Sequence, residues 1–576
     1  AFYGCTKLRT VTLGENLRTI YYRAFMNCTD LEEIVIPDNV TNLPRRSNYS
    51  NEAYSEAFAG CTSLESVTIG KKVAEMGTGV FKGCTSLKTI TIKDGCSVIG
   101  DECFSGCSKL PNIDIPSSVT TIGYEAFLDC VSLKNIAVPD GTTKIGYRAF
   151  QGCTAMTTVT VGNDVESIGS QAFYGCIKLR SVTLGENLRT IYYRAFMNCT
   201  DLEEIVIPSY VASLPRRSNY SNEAYSEAFA GCTSLENVTI GKRVADMGTG
   251  VFKGCTSLKN VTIKDGCSVI GDECFSGCSK LPVIDIPSSV ISIGDQAFLN
   301  CVELKDIAVP DGTTTIGSSA FQGCTAITSA TIGNDVESIG GQAFYGCIKL
   351  QSVTLGENLR TICYRAFMNC TDLKEIVIPD FVASLPRRSN YSNEAYSEAF
   401  ANCTALTTVT LGKRIATMGT GVFAGCPNIK VINVKDGCAL VGETCFKDSK
   451  DIETINMECN DVPAVSSNSF ANYTATLYVP TASIEDYKAH EVWSKFLIKD
   501  QTENGISSLA SEGIHIAMEG DELVVSGIKD GMPVNIYTTD GRKVSSSISG
   551  GIVRATLRSG TTYIVRVKGK TVKVAK

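Results

Sequence analysis

Apolar residues recur along this chain in a fixed frame. Each unit reads roughly V-x-x-I-G-x-x-A-F-x-G-C-x-x-L-x-x-V-x-I-P/G, with a period of 23 residues. Leu8, Val11 and Leu13 alternate with polar neighbours at the end of their run, which is a strand signal. The sets Leu31/Ile34/Ile36, Leu64/Val67/Ile69 and Leu87/Ile90/Ile92 repeat it, and Gly14, Pro37, Gly70, Pro116 or Pro139 then turns the chain. A shorter pair, such as Val119 and Ile122, crosses back, and the A-F-x-G-C stretch is expected to make a tight, single-turn helical corner. One such unit cannot bury its own apolar face. Stacked in register, the units give a continuous core with a parallel sheet along one side.

The register of the stack is written in the phenylalanines. They stand at 2, 25, 58, 81, 104, 127 and 150, the series restarts at Phe173 and Phe344, and the blocks are 171 residues long. Two blocks hold seven repeats and the third five, with a degenerate turn at Phe470. Nineteen coils at about 4.8 Å per strand predict a rod or arc on the order of 90 Å long. The sequence thus predicts a repeat solenoid over residues 1–460, a degenerate repeat and C-terminal cap over 461–500, a linker at 501–512 and a small β-sandwich over 513–576.

The 23-residue period, the I-G-x-x-A-F-x-G-C corner and the L-x-x-V-x-I-P strand closely resemble the leucine-rich repeats of BspA-like bacterial surface proteins. That resemblance implies a leucine-rich repeat solenoid that is extracellular or on the outer cell surface. It also implies an adhesin or interaction scaffold for host or microbial protein partners. A glycan-binding module for nutrient capture is the alternative. A glycan platform usually wants flat aromatic rows, and the chain has one Trp and no aromatic column on its strand face.

Composition narrows the chemistry. Charged residues at 20% and apolar residues at 43% are globular values, and a net charge of −7 gives no reason to expect nucleic-acid binding. His490 and His515 are the only histidines, so the first 489 residues contain no imidazole base or metal ligand. No nucleophile elbow, Gly-rich phosphate loop or paired Cys-x-x-Cys occurs, and the Asp-Gly steps at 94–95 and 140–141 read as turns. No enzyme, cofactor or metal site is expected. No uncharged apolar run approaches the length of a membrane span. The opening AFYGC lies halfway through a coil with no signal peptide before it, which reads as a truncation or processing point.

Cysteine is abundant at 26, and 18 of these thiols, Cys5 through Cys426, occupy the same repeat position; Ser449 takes it in the last clear repeat. Cys96, Cys103, Cys267, Cys274, Cys438 and Cys445 replace inward Val and Ala, and Cys363 replaces a Tyr. A metal site, a disulfide framework and a buried column of small thiols are the three readings. Neighbouring Cβ atoms about 4.8 Å apart and parallel suit the column better than a disulfide, which wants about 3.8 Å, or zinc, which wants convergence.

Residues 513–576 carry ten Lys and Arg against five Asp and Glu. ELVVSG, VNIYTTDGRKV and TYIVRVKGKTVKVAK read as strands around an Asp540-Gly541 hairpin. VNIYTTDGRKV and YIVRVKGKTVKVAK resemble the C-terminal sorting domain of type IX secretion cargo, with Gly560-Thr-Thr-Tyr563 one residue longer than the usual G-x-Y. A plain immunoglobulin-like stalk is the other reading.

One feature is not required by the coil. LPRRSNYSNEAYSEAFA, at 43–59, 214–230 and 385–401, inserts ten residues where other repeats have I-G-x-x-A-F, and its three copies are identical. Arg45, Arg46, Tyr49, Tyr54, Arg216, Arg217, Tyr220, Tyr225, Arg387, Arg388, Tyr391 and Tyr396 are therefore the candidate partner-binding residues. Arg pairs beside Tyr are residue types that anchor interfaces or stack on sugars. The competing reading is that Tyr54 covers core exposed by the bulge and the arginines are solvated, and recent duplication explains part of the identity.

Overall fold

A computed structural model of the chain describes residues 1–43, 55–212, 214, 226–385 and 397–503, and in the C-terminal part 515–519, 522–528, 534–538, 542–544, 547–549, 552–557, 562–567 and 570–575. Two compact units emerge, Ala1–Leu359 with Arg365–Thr371, and Arg360–Tyr364 with Asp372–Lys576.

The first unit is a parallel β-solenoid. Strands such as Ser66–Ile69, Asn135–Val138 and Thr158–Val161 alternate outward polar with inward apolar residues, as the period-2 pattern requires. Val67 pairs with Ile90 and Val159 with Ile136, one coil apart and in register. This sheet is not continuous. It forms three-stranded segments (Glu33–Val35, Ser66–Ile69 and Thr89–Ile92; then Asn135–Val138, Thr158–Val161 and Ser181–Thr183), and the coil between them, residues 111–116, has no strand. Pro111 stands where a neighbouring coil gives an amide to the ladder, as Lys88 N does to the Glu65 carbonyl (2.9 Å), and proline has no N–H to give.

The pair that crosses back makes a second sheet. Asn42–Leu43, Glu75–Met76, Val98–Ile99, Thr121–Ile122, Lys144–Ile145, Ser167–Ile168 and Thr190–Ile191 form a seven-stranded parallel sheet of two-residue strands.

The corner differs from the expected helical turn. Among the described residues of 1–460 there is no helix, and A-F-x-G-C is a run of turns. Its amides bond across coils: Phe58 N donates to the Val80 carbonyl (2.8 Å) and Gly60 N to that of Lys82 (2.7 Å). Residues two before and two after the Phe take positive φ, for example Glu125 at 53° and Asp129 at 56°. Two left-handed residues within five cannot continue a right-handed helix.

The core is a set of columns. From Phe2 to Phe367 the rings stack at centroid spacings of 5.0–5.6 Å, nearly parallel. The motif thiols lie beside them. Cys84 Sγ donates to the Phe58 carbonyl (3.3 Å), Cys153 to Phe127 (3.3 Å) and Cys301 to Phe275 (3.2 Å), so each corner is tied to the coil before it. All 26 cysteines are free thiols, and only Cys5 and Cys363 escape full burial.

In the second unit, Glu375–Val377, Thr408–Leu411, Val431–Val434, Thr454–Met457, Thr476–Val479 and Leu497–Asp500 form one parallel sheet. The short helix Ile484–Ala489 and the fully buried Trp493 close its core. Trp493 Nε1 donates to the Pro463 carbonyl (2.8 Å) and the Tyr487 hydroxyl to that of Cys459 (3.0 Å). Trp493 and Phe496 meet Phe470 edge-on, which ends the ring stacking of Phe400, Phe423, Phe446 and Phe470. His490 packs in this cap, its Nδ1 accepting the Val492 and Trp493 amides at 3.2 and 3.4 Å.

The C-terminal strands are antiparallel. His515–Glu519, Glu522–Ser526, Ile552–Thr556 and Ser547–Ser549 make one sheet; Val534–Thr538, Thr562–Val567 and Lys570–Ala575 make the other. Leu523, Val525, Ile536, Val553, Val565 and Val567 form their core. The hairpin step at Asp540-Gly541 lies outside the described residues, but Tyr537 bridges Lys543 antiparallel on either side of it.

Candidate interaction surface

The parallel register sets the outward strand face. Val35 pairs with Thr68, Thr68 with Thr91, Ala137 with Thr160 and Thr160 with Thr183, giving a ladder of short, mostly hydroxylated side chains. Val35, Val206 and Val377 are exposed at the same point of each block. The flanking column pairs charges between coils, Lys88 with Glu65 (2.7 Å), Lys259 with Glu236 (2.7 Å) and Lys430 with Glu453 (3.0 Å). Such exposed pairs contribute little to stability. Asp114 and Asp285 face outward in separate strandless coils and do not come together.

All twelve Arg and Tyr residues singled out in the insertions lie outside the described residues. Their flanks are described. Leu43, Leu214 and Leu385 are buried where each insertion leaves the core, and Ser55, Ser226 and Ser397 are fully buried where it returns. The three serine hydroxyls have no hydrogen-bond partner among the described residues. Just beyond, Glu56 accepts from Arg23 Nε (2.7 Å) and Glu227 from Arg194 Nε (2.6 Å). Each bond ties the resumed corner to the coil before the insertion.

Sequence reasoning missed a cluster at the turn after the strand that precedes each insertion. In the first block Asp38 Oδ1 accepts from the Lys71 amide (3.1 Å) and from Lys93 Nζ (2.9 Å). The Lys93 bond, with the Lys71 amide, holds the Asp38 carboxyl below its ordinary pKa. The pair therefore persists at neutral pH and is lost as pH falls through that depressed value. In the third block Asp380 sits between Lys435 (2.9 Å) and Lys413 (3.8 Å). The next residue varies together with a cation on the following coil. Asn39 accepts from Lys72 Nζ (2.9 Å), whereas Arg243 lies over Tyr210 (4.8 Å) and Arg414 over Phe381 (4.4 Å). A planar guanidinium suits a ring face better than an ammonium does. The signal lay in IPDN, IPSY and IPDF at the three equivalent turns, read against residues 33 positions on.

Among the described residues no group of three or more His, Cys, Asp or Glu is placed to hold a metal, and no helix is long and apolar enough to cross a membrane.

The model of the BspA type leucine-rich repeat region matches six times, over residues 1–56, 47–157, 143–282, 218–328, 270–397 and 389–487. The chain belongs to this family. BspA-type leucine-rich repeat proteins are bacterial cell-surface proteins built as repeat scaffolds. Among solved structures, a leucine-rich repeat protein from Bacteroides ovatus ATCC 8483 is 25% identical, with a TM-score of 0.44, covering 71% of this chain and 88% of that one. A leucine rich cell surface protein from Faecalibacterium prausnitzii A2-165 is 24% identical over 70% of this chain and 83% of its own, with a TM-score of 0.29. The pneumococcal vaccine antigen PcpA is 17% identical over 84% and 91%, with a TM-score of 0.26. No curated protein matches the chain.

Proposed function

We propose that this BspA-type chain is a non-enzymatic adhesin or interaction scaffold that binds host or microbial protein partners at the bacterial surface. The observation that carries the reading is the insertion: one ten-residue element, not demanded by the coil and identical in three copies. Binding residues tend to sit on loops held by a rigid scaffold. Each copy contains an Arg pair and two tyrosines (Arg45/Arg46 with Tyr49/Tyr54, Arg216/Arg217 with Tyr220/Tyr225, Arg387/Arg388 with Tyr391/Tyr396). Three weak contacts on one chain raise avidity by about 10²–10⁴ toward a repetitive partner.

The test begins with an extracellular-matrix protein panel beside a glycan array. Each insertion is then replaced by a plain I-G-x-x corner, one, two and three at a time. Binding to the panel partner should fall steeply with each replacement while the melting temperature barely moves. Undiminished binding by the triple replacement would refute the loops as the contact. Glycan binding without protein binding would favour the nutrient-capture reading. Residues 513–576 are proposed as the sorting domain. Their deletion should leave the array folded and the protein inside the cell, and normal surface display of the truncated chain would leave the stalk reading instead.

A further inference from the structure

The three 171-residue blocks act as internal controls for one another, and one of them lacks a charge that the other two have. Asp38 and Asp380 each place a carboxylate against two lysines on the next two coils. The second block keeps both lysines, Lys242 and Lys264, but has Ser209 in place of the aspartate. The backbone around them is the same in all three. Gly95, Gly266 and Gly437 have φ of 121°, 119° and 97°, and a Cβ on any of them would strike the carbonyl of Lys71, Lys242 or Lys413 respectively.

Lys242 and Lys264 are exposed, and among the described residues no carboxylate meets either. Beside them Tyr210 is 51% exposed with Arg243 across its face, and Val206 on the adjoining strand is 59% exposed.

We propose that Ser209, Lys242 and Lys264 form a receptor for an aspartate or glutamate side chain of a protein partner, which enters where the chain's own aspartate sits in the other two blocks. The incoming carboxylate would take the Lys242 amide and the Lys264 ammonium, as Asp38 takes those of Lys71 and Lys93. Such charge-assisted bonds are the stronger kind. Tyr210 and Val206 would cover the apolar stem and the neighbouring residue. A peptide carboxylate is favoured over a uronic acid because the two filled copies hold a peptide carboxylate. The proposal rests on the protein-binding reading above and adds the chemistry of one contact.

The probe is an N-acetylated, C-amidated aspartate hexapeptide, titrated calorimetrically into the full chain at low salt, with an asparagine hexapeptide and a galacturonate hexamer as parallel arms. The wild-type chain should bind the aspartate peptide. Ser209→Asp, which copies the natural blocks and so should fold, should remove one bound equivalent. Asp38→Ser should add one, and the double variant should restore the original number. Losing the bonds to the two lysines corresponds to an affinity drop of about tenfold or more. The chain's net charge of −7 repels the peptide in bulk, so a gain confined to one substitution reports the site. Equal binding by wild type and Ser209→Asp, or no gain in Asp38→Ser, would overturn the proposal. Galacturonate binding that alone responds to Ser209→Asp would overturn the peptide assignment. If the panel partner binds both forms equally, the scaffold reading stands and this contact falls. If peptide binding responds to Ser209→Asp but no panel protein binds, the contact stands and the scaffold reading falls.

Discussion

In the folded protein at pH 8, a thiol reagent should modify Cys363 slowly and the buried cysteines only after denaturation. The reason is twofold. Burial pushes the thiols of Cys130, Cys176 and Cys232 up to about 12, so the reactive thiolate is scarce. Each of those S–H groups also donates to a phenylalanine carbonyl of the preceding coil. Protection of about a hundredfold needs an opening free energy of only about 2.7 kcal/mol, well within what a packed array supplies. The same burial makes the fold sensitive to alkali. A thiol whose pKa is raised on folding stabilises the native state below its unfolded pKa, near 9.0, and loses that contribution as pH rises toward the folded value. Above pH 9 each thiol so raised costs about 1.4 kcal/mol per pH unit, and Cys130, Cys176 and Cys232 are three of many, so circular dichroism should show cooperative unfolding between about pH 9 and 11. Rapid labelling of most thiols at pH 8, or disulfides between adjacent coils found by mass spectrometry, would overturn the packing account of the column.

Much of this was legible because a repeat multiplies weak signals. Leu64, Val67 and Ile69 alone make a poor strand prediction; the same triplet every 23 residues fixes strand, turn and register together. What escaped the sequence depends on the neighbouring coil. The crossing pair Thr121–Ile122 is too short to show a strand period, yet in-register copies make a sheet of it. A-F-x-G-C looks like a helical turn locally, but its amides are claimed by carbonyls 22 residues on, as Phe58 is by Val80. The link between Asp38, Lys71 and Lys93 crosses 33 and 55 residues, because the insertion lengthens one coil. The insertions themselves stood out as sequence, yet nothing in their composition decides between contact surface and cover for the core.

A valine at Gly146 should divide the array, whereas an alanine at Gly346 should lower its stability modestly and leave it whole. Gly100, Gly123, Gly146 and Gly169 follow the crossing strands as a column, and Gly146 has an ordinary φ. Its requirement is space. A Cβ there would press into the backbone of Gly123 and Tyr124 on the preceding coil, and no flexible side chain is present to give way. The two coils must part, breaking the strand pairing of Ile145 with Ile122 and the Phe127–Phe150 stack at 5.1 Å. A loss of about 4 kcal/mol or more is the scale for such a clash. Because a solenoid's stability is a sum of coil and interface terms, the loss stays at that interface, and one thermal transition should become two. Gly346 is the contrast. Its φ of 73° is strained for any side chain, but nothing lies within 4 Å of its Cβ position, so alanine costs only about 1–2 kcal/mol. Calorimetry on both variants decides the matter. A single, unshifted transition for Gly146→Val would mean that the coils are not packed backbone to backbone along this column, and the in-register core would have to be redrawn.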